Sequence, residues 1–207
     1  GTPFIYQGQE IGMLGGCFTR ASDFRDVESL NYLRASGSTL VPAGLAAISR
    51  DNGRTPMQWD DSPNAGFTSG IPWIDVPTSA SRINVDAQLH DPSSVLAYYR
   101  ALIEARHRIP ALTFGSFEQI DAGSPAIFAY MRACEGSAVL VVVNLSGRAL
   151  TPARTLQDEA YCASRWNLYL SNATEEVRDG SSGCAEHDPS PASVLAPWEA
   201  RVYVSSR

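Results

Sequence analysis

The chain has 207 residues, 44% of them hydrophobic, with a formal net charge of -6 and a pI near 5.0. Its mean hydropathy of -0.14 fits a soluble globular protein with a core. The acidic balance argues against a nucleic acid or an anionic membrane as partner, because both select basic faces. No apolar run approaches the roughly 18 residues of a membrane span.

Phe4-Ile5-Tyr6, between Pro3 and Gly8, is a short apolar run of the kind that forms a strand buried on both faces. Residues 24–34 and 41–49 carry the apolar spacing of two helices, separated by Ser36-Gly37-Ser38. From Asp51 to Ser81 Gly, Pro, Asn and Ser dominate, which predicts a long ordered loop. A loop of that length inside a compact domain is usually functional.

Asp91-Pro92-Ser93-Ser94 predicts a helix start, with Asp91 as cap and Pro92 in the first turn. Val95, Leu96, Tyr99, Leu102, Ile103 and Ala105 or Arg106 trace its apolar stripe, and Pro110 ends it. After Leu112 the period changes to two. Phe117, Ile120, Ile127, Ala129, Met131 and the run Val139 to Val143 predict antiparallel strands. Trp166 to Leu170 and Ala200 to Val204 predict two more, with a polar, loop-rich stretch over 174–193 between them. No internal repeat is present.

The four cysteines, Cys17, Cys134, Cys162 and Cys184, lie far apart. They lack the close pairs of a zinc site and the density of a disulfide framework. Reduced thiols without a chemical role are expected, although Cys162 and Cys184 can bridge in an oxidising compartment. His90, His107 and His187 show no ligand spacing. No metal and no cofactor is expected.

Chemistry concentrates in Arg50 to Asp61, where two guanidiniums four residues apart share a Pro-broken segment with three carboxylates and an indole. Arginine offers a rigid planar fork that suits carboxylates and sugar hydroxyls. Trp59 and Trp73 offer flat apolar faces to the carbon side of a pyranose. The mixture points to a carbohydrate pocket rather than a nucleotide, metal or nucleic-acid site. The alternative is a surface loop held by its own salt bridges.

SRDNGRTPMQWDDSPNAGFTSGIPWIDV, Ser49 to Val76, resembles a long signature of the α-glucosidases of glycoside hydrolase family thirteen, the α-amylase family. The oligo-1,6-glucosidase type is the most similar. GTPFIYQGQEIGM, Gly1 to Met13, resembles that family's eighth barrel strand and the loop after it. FRDVESLN, Phe24 to Asn31, resembles the opening of the helical excursion that follows. INVDAQLHDPSSVLAYYRALIEARHRIPALTFGSFEQID, Ile83 to Asp121, resembles the last barrel helix and the crossing into a β domain. The resemblance covers residues 1–146 and fades over 147–207.

This resemblance implies an α/β plus all-β chain. Residues 1–111 would form the incomplete C-terminal end of a (β/α)8 TIM barrel, and residues 112–207 an antiparallel β-sandwich. A fragment is therefore expected, one that needs the missing N-terminal barrel half, in a cytoplasmic setting.

The implied activity is that of a retaining, exo-acting α-glucosidase on non-reducing α-linked glucose. Such chemistry needs two carboxyl groups about 5 Å apart. In the family these project from earlier barrel strands, and a third carboxylate lies just upstream of the strand matching Phe4 to Tyr6. No catalytic residue is therefore expected here, and the isolated chain is expected to be inactive.

What the resemblance places in this chain is part of the sugar pocket. Arg54 matches an arginine that pairs with a carboxylate of the first barrel loop and binds the terminal glucose. Its alternative is a plain structural salt bridge. Arg50, one helical turn away, either joins the pocket or braces the loop through Asp51 or Asp60. Glu28 resembles a glutamate near the leaving-group subsite, or is an exposed helix-start glutamate favoured by the macrodipole. Gln9 and Glu10 are expected to brace the absent carboxylates, Gly66 to set a turn, and Phe67 and Trp73 to pack.

Pro77-Thr78-Ser79-Ala80-Ser81 departs from the family, which carries an Asn-Pro-Asn-Tyr stretch there, and the segment between Asn31 and Ser49 is short. Both departures bear on specificity. Rivals with the same fold are trehalose synthase and sucrose isomerase. A rival of another class is the non-catalytic α-glucosidase-like ectodomain of an amino-acid transporter accessory subunit, which would carry a membrane helix upstream.

Overall fold

The computed structural model describes residues 2–38, 40–153, 166–173 and 190–205. The chain divides into two compact units, Gly1–Leu96 and Ala97–Arg207.

The first unit is built of short helices and loops. Helices α1 (Val27–Ser36), α2 (Ala43–Ile48) and α3 (Val85–Leu89) are accompanied by short turns of 3₁₀ helix before α1 and between α2 and α3, the longest described one at Arg50–Arg54. Asp26 caps α1 by accepting from Ser29 N, and Gly37 ends it in the left-handed region at φ 60°. Phe18, Phe24, Leu33 and Ile74 form a small core, to which Leu30, Val41, Leu45 and Ala46 add partial cover. Phe18 and Phe24 stack with ring centroids 5.0 Å apart. Each such buried side chain contributes about 1.5–3 kcal/mol.

The strand expected at Phe4-Ile5-Tyr6 is not formed. Phe4 is 91% exposed and Tyr6 61%, and no ladder engages the segment among the described residues. A strand buried on both faces needs a neighbour on each side, and among the described residues no strand pairs with this one. Tyr6 N donates to Gln9 Oε1 (3.2 Å) and Tyr6 Oη donates to Gly53 O (2.8 Å).

Helix α4 (Val95–Arg108) begins later than the expected Asp91 start. Asp91 Oδ1 accepts from Ser93 N and Ser93 Oγ and closes a local turn instead of a helix cap. A helix donor is taken up by Gln88, whose Oε1 accepts from Leu96 N at 3.0 Å. The stripe that α4 packs inside the second unit is Tyr98, Ala101, Leu102 and Ala105, followed by Ile109. It is rotated from the expected one, and Ile103 is exposed. Pro110 does end α4, but it also opens α5 (Pro110–Phe114) from the N1 position, where its missing N–H costs nothing. At Gly115 a Cβ would lie 2.4 Å from Ala111 O, so only glycine fits there.

Five strands follow: β1 (Glu118–Ile120), β2 (Ile127–Cys134), β3 (Ser137–Asn144), β4 (Trp166–Ser171) and β5 (Ala200–Ser205). They form one antiparallel sheet in the order β1-β2-β3-β5-β4. The β2–β3 hairpin turns at Glu135-Gly136, where Gly136 takes φ 71°. Alternation along β3 explains its continuous apolar run. Val139 and Val141 join α4 and α5 on one face, whereas Leu140 and Val142 join Ile127, Leu168, Leu195 and Tyr203 on the other.

Leu150 and Leu195 pair as an isolated bridge and belong to that second face. Asn144, fully buried, donates to Arg148 O and Ala196 O and accepts from Ser146 N and Oγ. Glu199 and Arg201 form a buried ion pair, with Arg201 also donating to Ser193 Oγ and Val194 O. Cys17 and Cys134 are free thiols, while Cys162 and Cys184 lie outside the described residues. No helix among the described residues is long and apolar enough to cross a membrane.

Candidate functional site

The site lies in the first unit, where the 3₁₀ turn Arg50–Arg54 meets the start of α1. Ser49 caps that turn by accepting from Asp51 N at 3.3 Å. Asp51 is fully buried, and its Oδ2 accepts from Arg25 N (2.7 Å) and Asp26 N (2.8 Å). These two bonds fasten the turn to the residue that caps α1.

Asp26 is 3% exposed. Its Oδ2 accepts from Ser29 N (3.0 Å) and Ser29 Oγ (2.9 Å). Its Oδ1 receives Arg50 Nε at 2.9 Å and lies 3.6 Å from Arg54 Nη1. Arg54 Nη1 is also 3.3 Å from Asp51 Oδ1, and Arg50 Nη2 is 3.5 Å from Glu28 Oε2. Burial pushes the Asp26 carboxyl up, but the Ser29 N–H and hydroxyl together with Arg50 outweigh it and hold Asp26 below the ordinary carboxylate pKa.

Arg50, Arg54 and Glu28 are thus brought into one cluster around Asp26. Arg50 uses Asp26 and Glu28, not Asp51 or Asp60: Asp51 gives Oδ2 to the Arg25 and Asp26 N–H groups and Oδ1 to Arg54, and Asp60 accepts from Ser62. Asp26 escaped the sequence reading. Its spacing to Ser29 signals a helix cap, but its ion pairs reach 24 residues along the chain and leave no local pattern.

Beyond the turn the chain runs inward through Thr55, Met57 and Gln58, all buried, and returns to the surface at Trp59. Asn64, Ala65 and Gly66 take φ of 56°, 55° and 65° in succession. Two non-glycine residues in the left-handed region are costly, and surrounding bonds hold them there. Ala65 O accepts from Trp59 N, while Asn64 Nδ2 donates to Thr68 O and Gly70 O. Gly66 sets the turn as expected, with a Cβ excluded by Asp60 Oδ2 at 2.6 Å. Phe67 (50%) and Trp73 (64%) were expected to pack, yet both are exposed, as is Trp59 (51%).

Next to this loop a cleft of about 330 Å³ is lined by Tyr6, Gln7, Gln9, Met13, Asn52 and Thr55, among others. Glu10 Oε2, Thr55 Oγ1 and Gln58 Oε1 are buried without a hydrogen-bond partner among the described residues. Among the described residues no group of three or more His, Cys, Asp and Glu could hold a metal ion.

A family model of the alpha-amylase catalytic domain matches residues 1–115, which contain the whole cluster. The chain belongs to the alpha-amylase family. It is 44% identical over 180 residues to trehalose-6-phosphate hydrolase of Escherichia coli K12, a match covering 84% of this chain and 32% of that protein. It is 39% identical over 212 residues to oligo-1,6-glucosidase of Halalkalibacterium halodurans, covering 99% and 35%. Among solved structures, Bacillus licheniformis trehalose-6-phosphate hydrolase superposes with a TM-score of 0.82 at 32% identity, over 100% of this chain and 36% of that one. The trehalulose synthase of Pseudomonas mesoacidophila MX-45 gives 0.77 at 36% identity, over 100% and 36%. The chain spans about a third of the length of the curated relatives it matches.

Proposed function

We propose that this chain is the C-terminal part of a retaining, exo-acting α-glucosidase of the alpha-amylase family, and that it supplies the wall of the pocket around the non-reducing glucose. In this reading residues 1–111 close a (β/α)8 barrel and residues 112–207 form a β-sandwich. Phe4-Ile5-Tyr6 is then a barrel strand whose neighbours lie in the remainder of the protein. The substrate is an α-glucosidic disaccharide or oligosaccharide.

The observation that carries the reading is the state of Arg54. One of its nitrogens is engaged by buried carboxylates, while the rest of the fork meets no acceptor among the described residues, on a side chain 38% exposed. A planar fork so held suits the hydroxyls at the closed end of a sugar pocket. Three carboxylates, Asp26, Glu28 and Asp51, face two guanidiniums, a balance that suits an uncharged glucose unit over a phosphate. Arg50 and Glu28 form the neighbouring edge, toward the leaving-group side.

The chain itself supplies binding and orientation. The nucleophile and the acid, about 5 Å apart in retaining enzymes, belong in this reading to the earlier barrel strands. Purified 207-residue chain is expected to release no p-nitrophenol from p-nitrophenyl α-glucoside, and measurable turnover by it would defeat this assignment.

Likeness to a trehalulose synthase favours a second reading, glucosyl transfer or isomerisation rather than hydrolysis. Chromatography of the products from sucrose separates the two. Free glucose and fructose support hydrolysis, whereas an isomeric disaccharide supports transfer.

A further inference from the structure

We infer that Asp26 is a positioning residue for Arg54: it holds the guanidinium by one nitrogen and so presents the other two to the sugar. The inference rests on the glucosidase reading above.

Asp26 and Asp51 share one design. Each is buried, each has Oδ2 occupied by a backbone N–H, and each directs Oδ1 to the same atom, Arg54 Nη1, at 3.6 and 3.3 Å. An arginine serving only to neutralise two buried carboxylates would gain most from a two-pronged grip, in which parallel N–H bonds meet both oxygens. Here the backbone takes the second oxygen of each carboxylate, so that grip is blocked. Arg54 Nε and Nη2 meet no acceptor among the described residues.

Arg50 completes the arrangement. Its Nε takes Asp26 Oδ1 at 2.9 Å, and its Nη2 lies 3.5 Å from Glu28 Oε2. Two like charges therefore flank one carboxylate oxygen. With that charge removed, Arg50 and Arg54 would repel each other, and only Asp51 would hold Arg54. Asp26 also caps α1, so the placement of Arg54 is referred to the helix that carries Glu28. The two sides of the pocket share this one anchor.

The test is a double-mutant cycle of Asp26→Asn and Arg54→Ala in the full-length protein carrying this chain. It reads kcat, KM and Tm with p-nitrophenyl α-glucoside as substrate. Asp26→Asn alone is expected to lower kcat/KM by about tenfold, within the range of coupled neighbours. In the Arg54→Ala background the same change is expected to leave kcat/KM within about twofold, while still lowering Tm. Equal fold losses in both backgrounds would overturn the proposal, because Asp26 would then act independently of Arg54. A fall in Tm with kcat/KM unchanged would overturn it as well, leaving a helix cap only.

Should Asp26→Asn not fold, Ser29→Ala gives the milder change. It removes one bond to Oδ2 and keeps the carboxylate, and the same non-additivity is expected. The parent reading fails differently, through a full-length protein that turns over no α-glucoside or an Arg54→Ala variant as active as the parent. Either result removes this proposal with it.

Discussion

Asp26 joins helix capping, ion pairing and acid sensitivity in one carboxyl group. Its folded pKa lies below the ordinary value near 3.9. A carboxyl depressed by folding stabilises fully above its unfolded pKa, and that contribution is lost as pH falls through the folded one. The first unit is therefore expected to lose stability below about pH 4, and Asp26→Asn to flatten that acid limb in melts taken from pH 6 to pH 2. Tyr98 gives the opposite limb in the second unit. Burial pushes its phenol up to about 12, so its contribution is complete below about pH 10 and lost as pH rises to 12. Tyr98→Phe should remove that alkaline loss, and an unchanged alkaline melt would count against it.

Arg50, Arg54 and Glu28 could be named from residue type and motif, whereas Asp26 could not. A carboxylate's partner across 24 residues is a property of the fold. Phe67 and Trp73 failed as packing residues for the same reason: whether an aromatic ring is covered depends on what lies beside it.

Strands were the most legible elements. Residues 139–143 read as a continuous apolar run because β3 is covered on both faces. Leu140, fully buried, should cost about 2–5 kcal/mol on Leu140→Ala, measured by denaturant midpoint. Gly115→Ala should cost about 1–3 kcal/mol by overpacking against Ala111 O, and a neutral melt would show that α5 can shift. Helix starts were harder to read. Asp91 and Pro92 carry the usual local signals, yet the side chain that meets Leu96 N is that of Gln88, from the preceding helix. A cap supplied from outside the first turn has no sequence signature.

Large apolar side chains are left in water across the first unit: Phe4 at 91%, Leu40 at 78%, Ile48 at 79% and Ile71 at 98%. Apolar side chains this exposed gain free energy from any cover that removes them from water. The 207-residue chain is therefore expected to bind anilinonaphthalene sulfonate strongly. In an amide spectrum, sharp dispersion should come from residues of the sheet. Uniform dispersion across residues 2–96, with no dye binding, would mean that the first unit is stable without further cover. The contrast follows from topology, since the sheet of the second unit closes both its faces locally. A strand depends on the neighbours that pair with it as well as on its own residues, so Phe4 to Tyr6 could be read as a strand and still not form one.

Steady-state hydrolysis of p-nitrophenyl α-glucoside by the full-length protein, parent against Arg54→Ala, should be measured before anything else. Turnover by the parent, with kcat/KM reduced on the order of 10²-fold in the variant, is expected for a truncated charge-assisted contact to the terminal glucose. An Arg54→Ala enzyme as efficient as its parent, or a parent without turnover, would contradict the assignment of this loop to the glucose pocket.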